Sequence, residues 1–245
     1  MHFSGPTQIT GIQTQEYGTT QLHPLGTIGE TRDGRLFRYV KNGAVALTVG
    51  DFIQSSADVP NHKTLTPAAA AIGASSVTVT LGATLAAAND YAEGYLMTAV
   101  TPGMGRTYQI SGHPAAASAA TLAVTLAPDD LIQIALTTSS RVHLIANPYN
   151  RVIQFPVTTA TGVCVGVAVS ALPIDNYGWL QTKGACCPLT DGTPALGAHI
   201  MVPGAVAGAG EIVVAAGTLI VAQFVGRMIF AGVDNVRNPV FLDID

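Results

Sequence analysis

The chain has 245 residues, of which 48% are hydrophobic and only 11% charged, with a formal net charge of −4 at pH 7. Soluble domains average about 25% charged residues, so the composition implies that much of the outer surface is covered by something else. The acidic balance and the scatter of the eleven basic residues argue against a sequence-independent grip on DNA or RNA, which needs a basic face to neutralise phosphates.

Residues 1–28 are rich in Thr, Gln, Gly and Pro and show no sustained apolar period, which predicts an extended N-terminal arm without structure of its own. Met1 to Pro6 lack a basic stretch followed by an apolar one, so no secretory signal is read there. The cluster Arg32, Arg35, Arg38 and Lys41 is interleaved with Asp33, Phe37 and Tyr39, the pattern of a solvated strand face rather than a phosphate patch. Arg35–Val40 reads as a strand, Asn42-Gly43 as a tight turn, and Ala44–Val49 as its return, together a β-hairpin.

From Thr66 the composition shifts to Ala, Thr, Ser and Gly. Strands are expected at 77–81, 94–100, 106–111, 122–126 and 132–136, spaced as in sandwiches and barrels. The alanine runs after Pro67 and Pro114 read as short helical or loop connections. Further strands follow at 141–145, 152–157, 163–169, 177–181, 200–202, 211–215, 219–230 and 240–244. The most apolar stretch, 212–225, is too short to cross a bilayer and contains Gly217 and Gln223, so no membrane partner is expected.

The chain is therefore expected to be all-β: a small β-barrel domain with an inserted β-rich lobe and an extended N-terminal arm. Lys41-Asn42-Gly43-Ala44 and Lys183-Gly184-Ala185, each followed by Ala-Leu and a further strand, suggest related turns on either side of an insertion. The boundaries so drawn are 1–28 for the arm, 29–65 plus 140–245 for the barrel, and 66–139 for a sandwich-like lobe.

No residue pattern asks for chemistry. His2, His23, His62, His113, His143 and His199 are dispersed without metal-ligand spacing. Cys164, Cys186 and Cys187 lack C-x-x-C spacing and read as buried free thiols. No Gly-x-Ser-x-Gly elbow occurs. Gly103-Met104-Gly105 and Gly208-Ala209-Gly210 read as turns, and Lys63-Thr64 lacks the glycines of a phosphate loop. Asp129-Asp130 and Asp243-Ile244-Asp245 read as solvated acids rather than a calcium or glycosidase pair. Accordingly no catalytic, cofactor-binding or metal residues are assigned, and no enzymatic activity is expected. Tyr177 and Trp179, on one strand face, could stack on a sugar, pack in a core or sit in a subunit interface.

The run Gly162–Ala168, the strand Tyr177–Gly184, Asp191-Gly192-Thr193, Gly197 and Val225–Asp234 together resemble tailed-bacteriophage capsid decoration, or cement, proteins, over residues 30–65 and 140–245. The resemblance implies a non-enzymatic virion protein, assembled in the host cytoplasm as a homotrimer. It would bind the major capsid protein lattice on the capsid exterior and stabilise the shell. The competing expectation is a phage tail or receptor-binding adhesin in which Tyr177 and Trp179, or the 66–139 lobe, recognise a glycan.

Overall fold

The computed structural model describes residues 5–157, 159–212 and 222–245. The chain is all-β, and its only helical elements among the described residues are 3-10 turns at Gln13–Gln15 and Pro60–His62. It divides into two compact units, Met1–Ala57 with Pro148–Asp245, and Asp58–Asn147. The first unit opens with β1 (Thr7–Gln8), β2 (Ile28–Glu30), β3 (Leu36–Lys41) and β4 (Phe52–Gln54). The second consists of β5 (Ser76–Thr80), β6 (Tyr95–Val100), β7 (Thr107–Gly112), β8 (Thr121–Leu126) and β9 (Arg141–Ile145). The chain then returns to the first unit with β10 (Ile153–Gln154), β11 (Cys164–Ala168), β12 (Tyr177–Cys186), β13 (Leu189–Asp191) and β14 (His199–Val202). It ends with β15 (Gly210–Ile212), β16 (Gln223–Met228), β17 (Val236–Arg237) and β18 (Val240–Asp243). The strands expected over 213–215 and 219–221 lie outside the described residues.

The lobe, Asp58–Asn147, follows from alternation. Val77 and Val79, Tyr108 and Ile110, and Leu122, Val124 and Leu126 occupy every second position of their strands and are buried together, while their neighbours face outward. All five strands are antiparallel, in the order β5-β8-β7-β6-β9, and all contribute to one hydrophobic cluster. Its boundary is wider than the expected 66–139. β9 pairs with β6 through Leu96↔Leu144, and Leu65 exchanges backbone hydrogen bonds of 2.8 and 3.0 Å with Val142, so both flanks belong to the lobe's core. The alanine runs are extended rather than helical, bridging Ala70 to Leu136 and Ala116 to Ala86. Residues 132–136 form no strand, although Ile132 and Leu136 are buried.

The registers disclose a duplication. Pro67-Ala-Ala-Ala leading to Val77-Thr-Val-Thr-Leu81 echoes Pro114-Ala-Ala-Ala leading to Leu122-Ala-Val-Thr-Leu126. The two matching strands pair with each other, Val77↔Val124 and Val79↔Leu122, as a local two-fold requires. The following strands do the same, Tyr95↔Ile145 and Met97↔His143 about Leu96↔Leu144.

In the first unit the ten-residue β12 is the spine. It pairs with β3 through Trp179↔Tyr39 and, beyond a register shift between Gln181 and Lys183, with β18 through Lys183↔Asp243. Buried Gln181 spans that irregularity, its side-chain amide donating to the carbonyls of Lys183 and Ala185 at 3.0 and 2.9 Å. From β12 the pairing runs through β18, β16, β14, β15 and β13 to β17, and on the other side through β3 and β2 to β1. This path is open, so the expected small barrel is not a closed one. Three separate apolar clusters replace a single core.

Two further expectations give way. The N-terminal residues from Gly5 onward are ordered against the sheet: β1 pairs in parallel with β2, Ile9 and Thr14 are buried, and Gly18 bridges to Tyr177. Scattered side chains that show no period can still be fixed one at a time by a surface made elsewhere. The Asn42-Gly43 hairpin does not form, because β3 pairs with β2 and β12 while β4 pairs with β10 and β11. Instead fully buried Asn42 donates from its side-chain amide to the carbonyls of Val45, Leu172 and Pro173, at 2.9 Å each, and pins the loop onto the core. Lys183-Gly184-Ala185 lies within β12 rather than at a turn, which removes the internal echo as evidence of related corners.

Candidate functional site

In β18 buried Val240 and Leu242 alternate with an outward row, whereas in β16 the buried residues Val225 and Met228 are three apart, across a register shift opposite Ile200 and Met201. Strands with one face on a core put polar residues on the other, yet the outward row carries Phe224 and Phe241, 53% and 54% exposed. With Lys183, His199, Arg227 and Asp243 they line an open groove of about 740 Å³. The cross-strand register sets Arg227 between His199 and Phe241. Gly226 forms part of the lining, and any side chain there would collide with the Phe241 carbonyl and Val240. The His199 ring meets Phe224 edge-on at 5.5 Å. Lys183 lies 3.7 Å from Asp243, whereas Arg227 has no carboxylate partner among the described residues. Ile229, Phe230, Val233 and Val236, on the stretch after β16, are also exposed. Large exposed apolar clusters of this kind mark surfaces that meet another molecule.

Of the candidates for chemistry singled out by sequence, His199 and Asp243 line this groove, and the others fall elsewhere. Arg35 pairs with Asp33 at 2.8 Å, Arg38 donates two hydrogen bonds to the Asp245 carboxylate at 2.7 and 3.1 Å, and Lys41 lies 3.7 Å from Asp175. The basic cluster is thus a set of separate ion pairs. Asp130 accepts the Gln109 backbone N–H at 2.6 Å within a turn. His62 and His113 are buried on either side of Tyr91, one bonded to its hydroxyl and the other accepting its backbone N–H at 3.0 Å. His143 accepts the Thr64 N–H at 3.1 Å, and His2 lies outside the described residues. No group of three His, Cys, Asp or Glu side chains gathers as a metal site among the described residues.

Cys164 and Cys186 are half-buried and Cys187 is exposed, so the expectation of buried thiols fails for the last. Burial pushes the Cys164 and Cys186 thiols up to about 12, which keeps them protonated and unreactive at neutral pH. Trp179 is only 6% exposed and packs with Tyr39 and His23 beneath the N-terminal segment, so it offers no open platform for a sugar ring.

Comparison with protein-family models, curated proteins and solved structures finds no match to this chain. Sequence reasoning missed the Phe224–Phe241 face, although its signal was present. In Val240-Phe241-Leu242-Asp243 the aromatic shares its phase with Asp243, so it has to point outward if Val240 and Leu242 point in.

Proposed function

We propose that this protein is a virion structural protein that binds the major capsid protein lattice of a tailed phage and stabilises the shell as a homotrimeric decoration protein on the capsid exterior. The observation that carries the reading is the outward Phe224 and Phe241 on the paired strands β16 and β18, in a chain with 11% charged residues. Exposed aromatics beside Arg227 match the enrichment of aromatic residues and Arg at interfaces. The resemblance of the Tyr177–Gly184 and Val225–Asp234 runs to decoration proteins points the same way, and β16 and β12 from those runs build the face. Assembly of copies would cover part of the exposed surface, and the lattice the remainder.

The reading is tested by adding purified protein to heads that lack it. Cryo-microscopy is expected to show density on the shell, and native mass measurement a trimer. Phe241→Glu, which places a charge on the outward row without touching the core, is expected to weaken head binding at least tenfold while leaving the fold intact. A stable monomer that never appears on heads would overturn the proposal. Density on the tail instead would favour the adhesin reading.

A further inference from the structure

A second cavity, of about 280 Å³, lies between the N-terminal segment and the β3–β12 pair. Its walls include Glu16, Tyr17, His23, Tyr39, Tyr177 and Trp179. The rings are held in fixed mutual positions. Tyr39 stands edge-on to Trp179 at 5.1 Å and to His23 at 5.1 Å, and parallel to Tyr177 at 6.0 Å. The segment that closes the cavity is fastened by backbone bonds of 3.1 and 2.8 Å between Gly18 and Tyr177, and by the Leu22 N–H donating to the Tyr39 hydroxyl at 3.1 Å. Gly29 lets Ile9 and the six-membered ring of Trp179 close in from the other side, since any Cβ there would meet both.

We infer that this cavity binds an organic ammonium group. Aromatic faces carry the negative side of the ring quadrupole and attract cations, most strongly where water is excluded. Glu16 supplies the only full charge in the lining, and it is negative. Lys41 Nζ, 5.7 Å from the Tyr177 centroid, lies 3.7 Å from the Asp175 carboxylate, which offsets its charge beside the cavity. Trp179, 6% exposed, forms part of the inner wall. A sugar would leave the carboxylate and the rings without a cation, and Trp179 presents no open face on which to stack it.

Trp179 is the only tryptophan, so its fluorescence reports on the cavity directly in the full-length protein. Titration with tetramethylammonium and with choline is expected to change the emission saturably. The neutral isostere tert-butyl alcohol is expected to leave it unchanged. N-acetyl-lysine amide tests a side-chain source and choline a headgroup source of the same chemistry. Glu16→Gln, on the exposed rim, is expected to weaken binding about two- to fivefold. Tyr177→Leu is expected to weaken it further, with circular dichroism confirming that both variants are folded. An equal response to tert-butyl alcohol, a response to glucose alone, or no saturable response to any ammonium probe would overturn the inference. None of those results bears on head binding, which is read by a separate assay.

Discussion

The two units reach an all-β structure by different routes. In Asp58–Asn147 every strand alternates, interrupted only toward the ends of β6 and β7 where the register shifts, one cluster collects all the buried apolar residues, and a duplicated sequence pairs with itself. In the other unit β4 is buried at all three of its positions, and β12 is buried at six of its ten. Around those two strands the sheet is covered on both faces, and the unit's apolar residues divide among three clusters. Self-contained alternation makes a lobe that needs little beyond its own strands. A two-sided sheet depends on distant segments arriving in register.

The largest test of that contrast is excision. Gln54 pairs with Ile153, which holds the two chain ends that flank the lobe side by side, so replacing 58–147 with a short Gly/Ser linker is expected to leave the first unit folded and cooperatively melting. Cutting instead at 66 and 139 strands Leu65, Val142 and Leu144 without their core, and that variant is expected to aggregate. Equal behaviour of the two deletions in calorimetry would show that the boundary does not matter.

Next in size are paired substitutions. Leu122→Ala removes a fully buried side chain of the lobe and is expected to cost about 2–5 kcal/mol, lowering one calorimetric transition and sparing the other. Asn42→Ala leaves the Val45, Leu172 and Pro173 carbonyls without their donor. It is expected to cost about 1–3 kcal/mol and to act on the other transition. If both substitutions shift both transitions equally, the units are not energetically separate.

A smaller, pH-dependent effect is expected at Asp51. Burial raises its carboxyl above the ordinary value, against the Gln154 hydrogen bond of 2.6 Å and the nearby Arg237, which lower it. A raised carboxyl binds its proton more tightly folded than unfolded. Its contribution is therefore full below the unfolded value and is lost as pH rises through the folded one. Asp51→Asn is expected to flatten that part of the stability profile, which denaturant titration at several pH values would measure. The smallest change is Asp245→Asn, which breaks the bidentate contact with Arg38 at the chain's end. Partly exposed pairs contribute about 0.2–1 kcal/mol, so a larger loss in denaturant titration would show that the C-terminus anchors β3.

The sequence by itself determined the fold class and most strand positions, because period-two burial is a local property written in consecutive residues. β5, β6, β7, β8 and β9 all fall within a residue or so of where alternation put them. Pairing partners were not legible. Asn42-Gly43 carries a hairpin signal, yet β3 finds β12, from far along the chain, because a ten-residue strand buries more than a short return does. The ordering of the N-terminal segment, the cavity it closes over Trp179 and the outward row of Phe224 and Phe241 likewise depend on which distant strands lie side by side. Tertiary register decided those features, since a single strand cannot specify what its neighbour brings to the same face.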